Sequence, residues 1–311
     1  MAEKQASRVA YGEELVAQGR INEKIVVCDA DLSQSTMTCK FAKEFPDRFF
    51  NFGIAEANMV CAAAGMAHSG LIPFVSTFAI FGSARAYEQI RNSVAYTGIP
   101  VKFVLTHAGL SVGEDGGSHQ TIEDIALFRT LPNMTIFVPA DAIETKKMVR
   151  AAIDIDGPVY IRASRPVMPC VTKEDTPFDP YKAAVLREGS DIAIFTCGLI
   201  IDESLKAAER LAQEGIQACV VNFHTIKPFD NETAVEIANK CGAVITAEEH
   251  SIIGGLGSAT AEALAGHSSA KFARVGIQDK FGCSGTPARL FHEYGIDADG
   301  IVAACKKLLA E

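Results

Sequence analysis

The strongest constraint on the fold is an alternation of strand-like and helix-like segments that runs through the whole sequence. Short apolar runs such as VKFVLT (101–106), DIAIFTCG (191–198) and AVITAEEH (243–250) are each followed by a helix-like segment. Alternation of this kind is typical of right-handed βαβ crossovers and a mostly parallel sheet. The sequence therefore predicts an α/β fold. The predicted helices include segments at 54–70, 79–98 and 121–131, and in the second half near 231–241 and at 298–310.

A proline-rich stretch divides the alternation into two parts. The pattern is interrupted by four prolines: Pro166, Pro169, Pro177 and Pro180. Proline cannot donate a backbone hydrogen bond, so such a cluster is typical of a linker. A length of 311 residues is also typical of about two domains. We expect a first domain over residues 1–165, a linker over 166–182 and a second domain over 183–311, each with a mostly parallel sheet flanked by helices.

Charge and composition exclude several classes of partner. A net charge of −9 and a pI near 5.4 do not offer the basic face that nucleic acid requires. No apolar run approaches the ~20 residues that span a bilayer, and the segment MAEKQASRVAYGEEL lacks the apolar core of a secretory signal. The nine cysteines include no CxxC pair and are typical of reduced thiols. We expect a cytoplasmic protein that binds neither nucleic acid nor membrane.

The segment His107–Gln120, HAGLSVGEDGGSHQ, is the strongest candidate for a functional loop. It follows the strand-like run VKFVLT, so it should leave the sheet at a strand's carboxyl end, where open α/β sheets bind ligands. Four glycines permit tight turns and close approach to a ligand, while two histidines, Glu114 and Asp115 supply proton donors, acceptors and charge. These residue types favour a binding or catalytic loop over a solvated turn.

A second candidate is the carboxylate of Glu56, at the start of an Ala-rich, apolar helix-like segment. A buried charge costs desolvation energy unless something binds it, and the helix dipole offsets only about 0.3–1 kcal/mol. Phe78 and Phe81 lie three residues apart, so both rings can project to one side. Alone, these residues suggest a surface glutamate and a core aromatic pair. Beside the glycine-rich loop, they suggest an aromatic wall for a flat heterocycle.

The sequence resembles the transketolase family over nearly its whole length. The similarity rests on four segments in order: NFGIAEANM (51–59), STFAIFGSARAYEQIRN (76–92), THAGLSVGEDGGSHQTIEDIALFR (106–129) and TAEEHSIIGGLGSA (246–259). They look like the pyrimidine-binding and carboxyl-terminal domains of that family. A full-length transketolase also has a domain whose GDG…N motif holds a diphosphate through a divalent metal, and no GDG occurs here. The resemblance implies the carboxyl-terminal subunit of a split transketolase.

The resemblance also implies a cofactor, thiamine diphosphate, with a divalent metal (Mg²⁺ or Ca²⁺) held by the partner subunit and no metal ligand in this chain. Glu56 corresponds to the glutamate that hydrogen-bonds N1′ of the aminopyrimidine. Phe78 and Phe81 correspond to the aromatic pocket around that ring. Asp31 and Leu32, in DADLSQST (29–36), correspond to positions beside the thiazolium at the subunit boundary.

Substrate contacts follow in the same way. His107, Asp115 and His119 match residues that contact the carbonyl and hydroxyl groups of the donor sugar, and the two imidazoles could shuttle protons. The resemblance implies that the second domain completes the dimer and leaves catalysis to the first.

A sugar-phosphate site is implied at the mouth of the channel. Arg8, Ser35 and Arg165 match the family's phosphate-binding cluster, and two guanidiniums with a hydroxyl suit a dianionic phosphate. The implied reaction is ketol transfer from a ketose phosphate to an aldose phosphate. The implied assembly is an α2β2 heterotetramer with an amino-terminal subunit that carries the pyrophosphate-binding domain.

Two positions depart from the family pattern. Ala108 replaces an aspartate, and Ala84 stands where a third aromatic residue is expected. The sequence HAG also occurs in deoxyxylulose-phosphate synthases, so a subunit of that kind, or a β-type subunit of a 2-oxo acid dehydrogenase, is an alternative. A catalytically silent scaffold subunit is a further alternative. The Glu114–Asp115 pair and the ending His119–Gln120 favour transketolase.

Overall fold

The computed structural model describes residues 4–176 and 178–311, and it has the α/β fold that the sequence predicts. Residues 1–3 and Pro177, one of the four prolines of the predicted linker, lie outside the described residues. The strands are β1 Lys4–Ala6, β2 Ile25–Asp29, β3 Phe49–Asn51, β4 Ile72–Ser76, β5 Lys102–Leu105, β6 Thr135–Phe137, β7 Val159–Arg162, β8 Val167–Pro169, β9 Ala184–Arg187, β10 Ile192–Thr196, β11 Ala218–Asn222, β12 Thr225–Lys227, β13 Ala243–Ser251 and β14 Lys271–Ile277.

Helices connect these strands. They are α1 Ser7–Ile21, α2 Ser33–Thr36, α3 Cys39–Glu44, α4 Glu56–His68, α5 Tyr87–Gln89, α6 Asp124–Arg129, α7 Ala142–Asp154, α8 Ile200–Gln213, α9 Asn231–Cys241, α10 Leu256–Leu264, α11 Pro287–Glu293 and α12 Ala298–Ala310. Two π-helical stretches, Phe81–Arg85 and Ile90–Ala95, flank α5. Short 3₁₀ turns cover Pro46–Arg48 and Leu110–Asp115. No helix within the described ranges is both long and apolar enough to cross a membrane.

The larger sheet has seven strands in the order β12-β6-β7-β5-β4-β2-β3. All neighbours are parallel except the edge pair β12 and β6, which is antiparallel. Its central strands, such as β2 and β5, are buried along their whole length. Strands that are covered on both faces read as continuous apolar runs, which is why these segments stand out in the sequence.

The second sheet has five strands in the order β14-β13-β10-β11-β9, all parallel except β9. Two of its helices, α9 and α12, begin at a capping aspartate. Asp230 and Asp297 each accept a backbone hydrogen bond at the start of α9 and α12, which satisfies an otherwise unpaired N–H group.

One buried hydrophobic cluster spans the two sheets. Strand β12 follows β11 in the chain but pairs with β6 of the larger sheet, and the Val138 N–H donates to the His224 carbonyl at 2.8 Å. Phe128 and Phe195, from the two halves, belong to the same buried cluster. Within the predicted linker, β8 pairs with β1. The boundaries at residues 165 and 183 stay a prediction.

Glu144 links the two halves through a buried carboxyl group. Its Oε2 accepts from the Ala140 N–H at 2.6 Å, and its Oε1 accepts from Asn222 Nδ2, on β11, at 2.9 Å. Burial raises the pKa of Glu144 to about 7, and the neighbouring Asp141 carboxylate adds to the rise. Between about pH 4.5 and 7, the Glu144 carboxyl group therefore keeps its proton in the folded chain, whereas it releases the proton in the unfolded chain.

Protonation of the Glu144 carboxyl group should make the free energy of unfolding depend on pH. The stabilisation from the raised pKa is fully present below about pH 4.5 and is lost as the pH rises through about 7. Between pH 5 and 8, we expect the free energy of unfolding to fall by up to about 3 kcal/mol more in the wild-type chain than in Glu144→Gln. Urea unfolding at each pH measures it. The exposed Glu209→Gln is the control, and parallel curves for wild type and Glu144→Gln would contradict the expectation.

Candidate active site

Five neighbouring parallel strands end at one edge of the larger sheet, and the segments that follow them carry most of the predicted site residues. In sheet order the strands are β7, β5, β4, β2 and β3. Carboxyl ends of parallel strands meet at the same edge, which is the usual ligand edge of an open α/β sheet. The residues in the same order are Arg165, the loop His107–Gln120, Phe78 with Phe81, the turn 31–35 and Glu56. Arg8 joins them from the start of α1.

Glu56 is the first residue of α4, and its side chain is buried. Arg85 Nη1 donates to Glu56 Oε1 at 3.0 Å. The guanidinium carbon of Arg85 also lies 4.0 Å from the ring centroid of Phe81. The carboxylate therefore faces a flat N–H donor that is stacked on an aromatic ring.

Phe78, Phe81 and the two histidines of the loop form one cluster of rings. The Phe78 and Phe81 centroids are 5.7 Å apart with nearly parallel planes, and Phe78 stacks on His107 at 3.9 Å. His119 meets Phe81 edge-on at 5.5 Å. The structure thus brings together four residues that the sequence places on two separate segments.

His107 is neutral over the physiological pH range. The residue is buried and has a φ of +60°, and its Nδ1 lies 2.8 Å from the Thr106 hydroxyl. Burial, with a smaller contribution from the charges of Arg8, Arg165 and His119, lowers the pKa of His107 to about 3. The ring can therefore donate or accept a hydrogen bond to a ligand but brings no charge.

Arg8, Ser35 and Arg165 also lie together. Arg8 Nη1 donates to the Ser35 carbonyl at 2.8 Å, and Arg8 Nε donates to the Arg165 carbonyl at 3.3 Å. Burial lowers the pKa of Arg8, and the nearby charge of Arg165 contributes. Arg165 Nη1 lies 3.3 Å from Glu114 Oε2 and 3.9 Å from Asp115 Oδ2, both on exposed side chains. Two adjacent guanidiniums at a partly open position suit an anion.

Asp31 and Leu32 lie at the turn after β2. Asp31 has a φ of +65° and is exposed, and its Oδ1 accepts from Asn51 Nδ2 at 3.2 Å. The Leu32 N–H donates to Asp29 Oδ1 at 2.6 Å. Asp29 is fully buried and also accepts from two threonine hydroxyls at 2.8 and 2.9 Å. Its role in shaping this turn was not anticipated from the sequence, although a carboxylate at the end of an apolar strand is a usable signal.

Glu249, on β13 of the second sheet, is a further residue that the sequence analysis missed. Glu249 Oε2 accepts from the Ser111 N–H at 3.0 Å, and Oε1 accepts from the Ser111 hydroxyl at 3.1 Å. Arg162 Nη1 lies 3.7 Å from Glu249 Oε1. Burial raises the pKa of Glu249 to about 7, against the opposing effect of Arg162. The second half of the chain thus fixes the middle of the loop His107–Gln120.

Gly109 is where the loop comes closest to Glu249. Gly109 has a φ of +76°, and a Cβ atom there would lie 2.5 Å from Glu249 Cδ. Gln120 Nε2, at the end of the loop, donates to the carbonyls of Leu110, Gly113 and Cys283 at 3.0–3.3 Å. The loop is therefore held from both halves of the chain.

A pair of glycine substitutions separates contact from backbone strain. Gly109 and Gly70 both have positive φ, +76° and +87°, but a Cβ at Gly70 would meet nothing within 4 Å. Gly70→Ala should cost about 1–2 kcal/mol of backbone strain, and Gly109→Ala about 1–3 kcal/mol, because its ψ of −172° lies in a region that is essentially limited to glycine. Gly109→Ala should cost a further ~1–3 kcal/mol of overpacking and increase amide hydrogen exchange across the loop. Chemical unfolding and hydrogen-exchange mass spectrometry measure the two effects. An equal decrease in the free energy of unfolding for Gly109→Ala and Gly70→Ala would show that the contact with Glu249 is unimportant.

Two family models match the chain. The transketolase pyrimidine-binding domain matches residues 3–170, and the transketolase C-terminal domain matches residues 181–301.

Relatives match over nearly the full length of both chains. A Methanocaldococcus jannaschii protein whose name calls it a transketolase C-terminal section is 46% identical over 307 residues, covering 98% of this chain and 95% of that protein. The 6-deoxy-6-sulfo-D-fructose transketolase subunit SqwH of Clostridium sp. (strain MSTE9) is 40% identical over 301 residues, covering 97% and 94%. A solved structure described as a split gene transketolase, inactive beta4 tetramer, matches with a TM-score of 0.90 and 49% identity over 99% of each chain.

Proposed function

The chain belongs to the transketolase family, and from this premise we propose that it is the carboxyl-terminal subunit of a two-chain, thiamine diphosphate-dependent transketolase. The proposed reaction transfers a two-carbon ketol group from a ketose phosphate to an aldose phosphate. The observation that carries the proposal is Glu56, a buried carboxylate that faces an N–H donor against the ring of Phe81. These features are what an aminopyrimidine requires.

The recess between Glu56 and Phe81 fits that ring on chemical grounds. It already accommodates the Arg85 guanidinium, which is flat and carries N–H donors, at 3.0 Å from the carboxylate and 4.0 Å from the ring centroid. Glu56 would hold a proton shared with N1′, and the Phe81 face would stack on the ring. When bound, the cofactor supplies a nucleophilic carbon and an electron sink.

The remaining side chains would bind and orient the sugar. The neutral His107 would hydrogen-bond the donor carbonyl without placing a charge beside it, and His119 would move protons at the substrate hydroxyls. Asp115, which is exposed at the edge of the loop, would contact a hydroxyl group. Arg8 and Arg165 would anchor the terminal anion, with Ser35 beside them. Asp31 and Leu32 would line the neighbouring turn.

The identity of that anion is part of the proposal. We propose a phosphate, because two guanidiniums match its geometry and charge. The name of the Clostridium relative includes a sulfo sugar, so a sulfonate is the competing anion. Turnover with phosphorylated and sulfonated donors of the same carbon skeleton distinguishes them.

A second subunit would complete the site. Asn58, Cys61 and Gly65 form an exposed row along α4, the helix that begins at Glu56, on the face opposite the buried Glu56 side chain. Small residues allow a second helix to pack closely. We propose that a partner with the pyrophosphate-binding domain docks there, holds the diphosphate through Mg²⁺ or Ca²⁺, and forms an α2β2 assembly. Two relatives carry names that describe a section or a subunit of a transketolase, and both support a split enzyme.

Reconstitution tests the two-chain arrangement. We expect no ketol transfer from the purified chain alone, and transfer after addition of a partner chain with a GDG motif, thiamine diphosphate and Mg²⁺. Turnover by the lone chain would contradict the split arrangement. Release of carbon dioxide from pyruvate, without ketol transfer, would instead support a deoxyxylulose-phosphate synthase-like or 2-oxo acid dehydrogenase β-type subunit. Absence of saturable cofactor binding would indicate a silent scaffold.

Substitution of Glu56 tests the proton-sharing role. Glu56→Gln should lower kcat of the reconstituted enzyme by at least about 100-fold, because proton transfer by a positioned side chain contributes 10²–10⁴-fold. Circular dichroism should show an unchanged fold. Glu88→Gln, at an exposed glutamate in α5, is the matched control and should keep full activity. Retention of most turnover by Glu56→Gln would exclude this role.

A further inference from the structure

Arg85 and an aminopyrimidine would require the same two partners. We propose that the Arg85 guanidinium competes with the cofactor ring for the recess between Glu56 and Phe81, so that Arg85 must leave both groups when the ring enters. This inference rests on the proposed function, since it concerns the cofactor that the function requires. It assigns to Arg85 the control of cofactor affinity in this subunit.

The Glu56 carboxylate is buried, whereas its partner Arg85 is half-exposed. Glu56 is 5% exposed, whereas the Arg85 side chain is 50% exposed. Among the described residues, Arg85 is the side chain that hydrogen-bonds Glu56. Glu56 is fixed at the start of α4, while Arg85 can rotate into solvent. A ring nitrogen can therefore reach this carboxylate oxygen once the arginine side chain moves.

The Arg85 guanidinium also covers one face of the Phe81 ring. The guanidinium carbon lies 4.0 Å from the Phe81 centroid, which is van der Waals contact. No second ring can enter between the two groups at this distance. Phe81 also stacks with Phe78 and meets His119 edge-on, so these two neighbours already occupy other sides of the ring. The cofactor ring and the guanidinium therefore cannot both lie on this face.

The contacts of Arg85 with Glu56 and Phe81 are weak enough for a cofactor ring to displace. An ion pair with a half-exposed partner and a cation over a partly exposed ring are both weak interactions. A pyrimidine ring that is anchored through its diphosphate by a partner subunit can displace them, because anchoring raises its effective concentration. A ring without that anchor competes poorly. Arg85 thus makes tight cofactor binding depend on assembly of the two chains.

Substitution of Arg85 tests the competition directly. Arg85→Met keeps the length of the side chain and removes the guanidinium. In the complex with the partner chain, calorimetric titration with thiamine diphosphate and Mg²⁺ should give a Kd about 5-fold lower for Arg85→Met than for wild type. Arg85→Lys keeps the charge but not the flat fork, so its Kd should lie between the two. Arg91→Met removes an exposed arginine whose side chain donates to Asn92 Oδ1 at 2.6 Å, and it should match wild type.

A second readout needs no partner chain and no activity. Saturation-transfer NMR of thiamine with the lone chain should show a stronger signal for Arg85→Met than for wild type, and circular dichroism checks that each variant folds. An unchanged or higher Kd for Arg85→Met in the complex would overturn the inference, because Arg85 would then be neutral or would help to hold the ring. If the wild-type complex and all variants bind no cofactor, the proposed function is wrong and this inference fails with it.

Discussion

A buried charge network centred on Arg162 is the interaction on which the rest of the structure depends. Arg162 ends β7, and its guanidinium contacts Asp124 at 2.8 Å and Glu249 at 3.7 Å, with all three side chains buried. Burial alone would raise the pKa of Asp124, but the charge of Arg162 lowers it. Loss of one partner would leave an uncompensated buried charge, which costs far more than a surface pair. Because Glu249 also holds Ser111, the network fixes the loop against both sheets.

The distribution of polar groups supports the proposal that this chain provides one part of a site. Most of the groups proposed to bind a flat ring, a carbonyl and a terminal anion lie at the carboxyl ends of adjacent parallel strands, which the order of the larger sheet brings together. The helix α4, which begins at Glu56, has small, exposed residues at Cys61 and Gly65 on its solvent face. We propose that a second subunit completes the site by packing against the exposed small residues of α4.

Local signals in the sequence predicted the fold well, and long-range pairing limited the rest. Helices α9 and α12 match their predicted bounds, because Asp230 and Asp297 cap them. The predicted helix at 79–98 is instead divided by two π-helical stretches, which apolar periodicity does not reveal. The run QACVVNFHTIKP (217–228), predicted as one strand, is divided into β11 and β12, and no local pattern reveals that β12 pairs with a strand of the other sheet. Glu249 was missed for the same reason: the site residues that follow strands were visible, but a contact from the second sheet was not.

The chemistry proposed for Glu56 also explains why it needs Arg85. A carboxylate suited to share a proton with a heterocycle must be buried, and burial of an unpaired charge is costly. A permanent, fully buried positive charge would offset the desolvation energy of Glu56 but would prevent the cofactor ring from reaching the carboxylate. A half-exposed arginine satisfies both requirements, since it pairs with the carboxylate at 3.0 Å and still has solvent on one side. The half-exposed pair of Arg85 and Glu56 thus contrasts with the buried pair of Arg162 and Asp124. The first pair must separate when the ring binds, whereas the second must stay intact to stabilise the fold.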